Sequence, residues 1–230
     1  MRDELDRSLD TIRADLVEMG ERADDMLGEA VAALVARDAA RADRVPEADQ
    51  AVDDLYARVH DTVFATVARQ APVGRDLRAL TSFLHAGLHL ERMADYAGSV
   101  ARAARRSRDL APDADILAQL GEMGGAAREV CRAAMRALVA ADADLARDVT
   151  RVDDAVDRLN LGIFRRLIAV AAADDGLLPW AAHMIGVARL LERYADHGVD
   201  IAEQVIFAVT GRSEDLGVGG THPGGRPEED

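Results

Sequence analysis

The sequence predicts an all-α protein: two tandem antiparallel three-helix bundles made of six long helices. Two observations predict the class. Hydrophobic residues make up 49% of the chain but aromatic residues only 3%, and long stretches place apolar residues at helical steps of three and four. Runs of β-branched residues, the mark of strands, are scarce. A third observation predicts the doubling. Leu90-Glu91-Arg92-Met93-Ala94-Asp95 returns as Leu191-Glu192-Arg193-Tyr194-Ala195-Asp196, so a unit of about half the chain is repeated.

The first helix rests on Leu5, Leu9, Ile12, Leu16, Met19, Ala23, Met26 and Ala30, a sustained heptad stripe. Asp38 and Asp43 interrupt it, and a second helix runs to Gln70 with Val52, Tyr56, Val59 and Val63 on its core side. Pro46 sits either in the first turn of this helix or at a kink. Ala71-Pro72-Val73-Gly74 is a turn. The third helix begins near Arg75 or Asp76, continues through Leu77, Leu80, Leu84 and Leu88, and closes on Arg102, Arg105 and Arg106, whose charge suits a helix C-terminus.

Asp109 to Pro112 link the halves. A fourth helix follows from Asp113 to Ala140, weakened by Gly121, Gly124 and Gly125, and a fifth from Asp144 to Ala173 with Val152, Val156, Leu159 and Ile163 on one face. Asp174-Asp175-Gly176 is a turn, and Pro179 suits the start of the last helix, which ends at Thr210 with Gly211 as a left-handed cap. The expected organisation is one three-helix repeat over 5–108, a second over 113–211, and a disordered Gly-, Pro- and acid-rich tail over 212–230.

Paired carboxylates carry the chemistry. Asp49 and Asp53 recur as Asp153 and Asp157 on the middle helix of each unit, and Glu91 and Asp95 recur as Glu192 and Asp196 on the third. Each pair stacks on one helix face, where like charges cost about 0.2–0.5 kcal/mol. With 42 acidic residues in 230, such pairs also arise by chance, so their matched placement is the stronger argument. Leu84, Leu88, Glu91 and Asp95 form one stripe, which puts these acids along an apolar seam. Facing helices can then pool carboxylates into an oxygen-rich site for Mg, Mn or Fe. Local salt bridges to Arg92 and Arg193 are the rival explanation.

Other chemistry finds less support. No His follows an acidic residue by three positions, which disfavours a ferritin-type di-iron oxidase. His85 and His89 share a face one turn before Glu91, and ordinary packing competes with metal ligation there; His183 and His197 carry less. No P-loop or GxSxG elbow is present. The net charge of −14, with Arg as the sole strongly basic residue, disfavours a nucleic-acid binder. A single cysteine, Cys131, excludes an internal disulfide and reads as a buried apolar residue. The N-terminus lacks an apolar signal region and the longest apolar run, Leu167 to Ala173, is too short to span a membrane. A cytoplasmic protein without direct membrane insertion is expected.

Pro72-Val73-Gly74-Arg75-Asp76-Leu77-Arg78 resembles the P-V-x-x-D-L-R turn of the PhoU family. The two Leu-Glu-Arg-x-Ala-Asp segments resemble that family's repeated core, and Ile201 to Gly211 its closing helix. The resemblance covers residues 5–211 and implies a non-catalytic, cytoplasmic adaptor, homodimeric and recruited to the inner face of the membrane by its partners. It implies that Asp49, Asp53, Glu91, Asp95, Asp153, Asp157, Glu192 and Asp196 bind divalent or trivalent metal ions (Fe, Mn, Mg or Zn). The implied partners are the ATPase subunit of the phosphate ABC transporter and a phosphate-sensing histidine kinase; the implied role is negative regulation of phosphate uptake and of the starvation response. Gly74-Arg75, the missing turn in the second unit and Ser99 in place of Asn depart from the family pattern. A metal-free helical scaffold and a carboxylate-bridged metalloenzyme are the alternatives.

Overall fold

The computed structural model describes residues 2–217. Six long helices and two short ones account for most of them: α1 Arg2–Ala36, α2 Ala39–Arg44, α3 Asp49–Gln70, α4 Arg75–Ser107, α5 Ala114–Ala140, α6 Ala143–Arg147, α7 Val149–Ala173 and α8 Leu178–Thr210. No strand occurs among the described residues.

The heptad stripe of α1 is buried from Leu5 to Ala30 and continues through Val31, Ala33 and Leu34. Asp38 then caps α2 by accepting from the Arg41 N–H at 3.0 Å. Pro46 lies in a 3-10 turn, Val45–Ala48, between α2 and α3, where its missing N–H costs nothing. The second half follows the same plan. Its expected fifth helix is two helices: Asp142 caps α6, and α7 starts only at Val149. Both halves therefore place a short capped helix just before their DxxxD pair. Gly211 takes the left-handed cap expected of it, with φ of 75°.

Helices α1, α3 and α4 pack as one three-helix unit and α5, α7 and α8 as the other. The units join along α1/α5 and α4/α8 and share one continuous core, with Trp180 and Tyr194 among its largest buried side chains. Gly124, expected only to weaken α5, is what lets α1 approach: a Cβ there would stand 2.6 Å from Cγ2 of Val31. Cys131 is buried as expected, and burial pushes its thiol up to about 12 despite the neighbouring Tyr194 phenol.

Two further expectations are corrected. The core face of α4 is Leu80, Phe83, Ala86, Leu90, Met93, Ala94 and Ala97, whereas Leu77 and Leu88 are exposed. Glu91 and Asp95 thus flank the core rather than continue its centre line, because small residues bring α4 against both α1 and α8. Second, the expected tail begins docked. Glu214 accepts from Arg147 Nη2 at 2.7 Å and the Leu216 N–H donates to Glu203 Oε1 at 2.8 Å. The remainder of that tail, 218–230, lies outside the described residues.

Candidate functional site

Asp49 is the first residue of α3, with Asp53 one turn on; Glu91 and Asp95 come from α4. Asp49, Glu91 and Asp95 are half-buried and Asp53 is exposed. Their charges act on one another. Burial raises the Asp49 carboxyl, and Asp53 and Asp95 raise it further against the opposing charge of Arg102. Burial likewise raises Glu91, with Arg92 opposing and Asp95, Asp53 and Asp49 adding to the rise. Glu91 Oε2 is buried without a hydrogen-bond partner. Arg92 makes ion-pair contacts to it, Nε at 3.5 Å, and to Asp95 Oδ2, Nη1 at 3.4 Å. The local salt bridge anticipated for Arg92 is therefore present, at long range.

The second group repeats this on α7 and α8. Burial pushes Asp153 up to about 7, helped by Asp157, Asp196, Asp154 and Glu192. Asp154 belongs to this group although the repeat pattern does not single it out; adjacency to Asp153 was the available signal. Arg193, the counterpart of Arg92, has its charged form favoured by the neighbouring Tyr96 phenol of α4 and by Asp196 and Glu192. The eight carboxylates thus fall into two groups of four, one per unit. Their donors are all oxygen, burial disfavours the charged forms of Asp49, Glu91 and Asp153, and Glu91 Oε2 is buried without a hydrogen bond. That chemistry fits a hard cation, which would restore the charge balance.

No three of these eight bring ligand atoms within 4.8 Å of one another; among the described residues the trio that does is His89, His197 and Asp200. It joins α4 to α8. His197 Nδ1 lies 3.0 Å from His89 Nδ1 and 3.0 Å from Asp200 Oδ2, and His89 Nδ1 lies 3.3 Å from the same Oδ2. Tyr96 stacks on the His197 ring, centroids 5.5 Å apart at 17°. The spacing of His197 and Asp200 was visible in the sequence; their meeting with His89 was not.

These features define a class: a duplicated three-helix protein with a carboxylate group on the second and third long helices of each unit. The sequence matches the PhoU domain at residues 16–104 and 120–205. The chain belongs to the PhoU family. It is similar to the "phosphate-specific transport system accessory protein PhoU homolog 2" of Mycobacterium tuberculosis, 33% identical over 210 residues, covering 85% of this chain and 95% of that one. The corresponding PhoU homolog of Zymomonas mobilis is 31% identical over 209 residues, covering 90% and 87%. The crystal structure of PhoU from Pseudomonas aeruginosa superposes with a TM-score of 0.85 at 29% identity, covering 90% of this chain and 99% of that one.

Proposed function

We propose that this protein is an accessory regulator of a phosphate-specific transport system, non-catalytic, coupling the ATPase subunit of the transporter to a phosphate-sensing histidine kinase. It restrains uptake and the starvation response when phosphate is plentiful. The observation that carries the reading is likeness over most of the chain to proteins named as accessory proteins of that system, together with the fold it shares with a crystal structure of PhoU. Each repeat unit, over 5–108 and 113–211, holds metal through its four carboxylates, and the charge neutralisation stiffens the packing of α3 on α4 and of α7 on α8.

The surface suits an adaptor. The net charge of −14 favours basic partner patches. Leu161, Phe164 and Ile168 stand exposed along one face of α7, an apolar strip of the kind a partner helix or groove covers. No helix among the described residues is long and apolar enough to cross a membrane, so membrane association would come through partners. To switch them, the protein must bind their phosphate-replete and starved states with different affinity. Pull-down with the full chain from phosphate-replete and starved cells tests this. Recovery of the transporter ATPase or the kinase, dependent on phosphate status, is expected; recovery of neither under both conditions overturns it.

The metal-free scaffold reading draws on Arg92, which already partners Glu91 and Asp95. Metal analysis before and after Asp95→Ala with Asp196→Ala separates the two, since a scaffold would show no change in metal content.

A further inference from the structure

We infer that His89, His197 and Asp200 form a mononuclear site for a borderline divalent cation such as Zn2+, clasping one repeat unit to the other. The site is distinct from the carboxylate groups, and its donors are of a different chemical type.

The geometry carries the inference. His89 Nδ1, His197 Nδ1 and Asp200 Oδ2 form a triangle with edges of 3.0, 3.0 and 3.3 Å. Each imidazole nitrogen offers a single in-plane position, either a proton or a lone pair. Hydrogen bonds therefore satisfy at most two of the three edges. A cation at the common focus satisfies all three at once. Zinc bound at about 2.0–2.1 Å in tetrahedral geometry has ligand–ligand edges of about 3.3–3.4 Å, so the triangle needs to open by only a few tenths of an ångström. Two imidazoles and a carboxylate suit Zn2+, Co2+ or Fe2+ better than Mg2+ or Ca2+.

The surroundings hold the ligands in place. The Tyr96 ring stacks against His197, centroids 5.5 Å apart. The side chains of His89 and His197 are 20% and 22% exposed and that of Asp200 is 41% exposed, which leaves an open side for a water as fourth ligand.

The duplication also sets the stoichiometry. In the repeat, Leu190 matches His89, Tyr96 matches His197 and Ser99 matches Asp200, and Ser99 Oγ accepts from Arg102 Nη2 at 2.8 Å. The equivalent position in the repeat has no imidazole or carboxylate ligand, so each chain holds one such ion. Because His89 lies on α4 and the other two ligands on α8, binding fastens the helix pair that joins the units. The ion becomes a tether between repeats.

The test titrates chelator-treated full-length protein with Co2+ and then Zn2+. One equivalent of Co2+ should develop the visible ligand-field absorption of a nitrogen-containing site and be displaced by Zn2+. Zn2+ should also shift the ring resonances of His89 and His197 in the wild-type protein. His89→Gln and His197→Gln should each lower affinity by at least the roughly 10–100-fold that a change outside the first ligand shell costs. Asp153→Asn with Asp196→Asn should leave the absorption in place, whatever happens to the adaptor function. The inference is overturned if the absorption survives both histidine substitutions, if it vanishes only in the carboxylate variant, or if neither histidine ring responds to Zn2+.

Discussion

Asp24 of α1 and Arg128 of α5 form a two-pronged ion pair, Arg128 Nε to Oδ1 at 2.9 Å and Nη2 to Oδ2 at 2.7 Å. Arg132 Nη2 adds a third bond to Oδ2 at 2.8 Å. Asp24 is buried, and it joins the two repeats at the seam opposite α4/α8. Gly28 makes room one turn on, since a Cβ there would stand 2.8 Å from the Arg128 guanidinium carbon. Burial alone would raise the Asp24 carboxyl, but the hydrogen bonds and charges of Arg128 and Arg132 outweigh it and hold the carboxyl below its usual range.

Removing that carboxylate strands two guanidinium groups at the seam. Breaking a buried pair costs about 3–5 kcal/mol, and because both arginines keep some solvent contact, Asp24→Asn should lose about 2 kcal/mol in urea unfolding. The pH dependence has a definite sign. A depressed folded-state value means the unfolded chain binds more protons, so the contribution is complete above about pH 4 and lost as pH falls through the depressed value. The acid limb of the stability curve should flatten in Asp24→Asn.

Neighbouring glycines of α5 should respond oppositely to alanine. At Gly124 the new Cβ meets Val31 Cγ2 at 2.6 Å and Cγ1 at 2.9 Å, so Gly124→Ala should destabilise by about 1–3 kcal/mol. At Gly125 nothing lies within 4 Å, and Gly125→Ala should stabilise by about 0.5–1 kcal/mol through helix propensity. Thermal or urea unfolding of the two variants side by side checks both.

The carboxylate groups should differ in affinity. Arg92 and Arg102 partly offset the charge of the first, whereas burial and four neighbouring carboxylates push Asp153 of the second up to about 7. On loading chelator-treated protein with Mn2+, the second group should fill first. Arg92→Gln should tighten the first by a few-fold, as suits a half-exposed charge worth up to about 1 kcal/mol. Calorimetric titration resolves the two steps.

Metal-free protein should also lose stability as pH rises toward neutrality. The folded chain holds a proton on Asp153 up to about 7, while the unfolded chain releases it near 3.9. The contribution is therefore full below about pH 4 and disappears as pH climbs through 7. In Asp153→Asn that decline should be shallower, as read by urea unfolding in the presence of chelator.

The strip on α7 separates folding from partner binding. Phe164 and Ile168 are about half exposed, at 46% and 51%, so Phe164→Asp with Ile168→Asp should change stability by about 0.5 kcal/mol or less per site. Capture of the transporter ATPase or the kinase should fall sharply in the same variant.

The six long helices, the duplication and the pairing of carboxylates along each helix were determined by the sequence itself. Heptad spacing in α1, the cap at Gly211 and the Asp49/Asp153 match are local properties, set by backbone propensity and by which face of one helix is apolar. Tertiary packing decided the rest. Rotation of α4 against α1 and α8 moved Leu88 outward and left Glu91 and Asp95 beside the core. The meetings of Asp24 with Arg128, Arg193 with Tyr96, and His89 with His197 and Asp200 join helices from different repeats. Such contacts depend on how far each helix is turned and slid along its neighbour. Close packing of the whole core sets that register, and no residue's own preference encodes it.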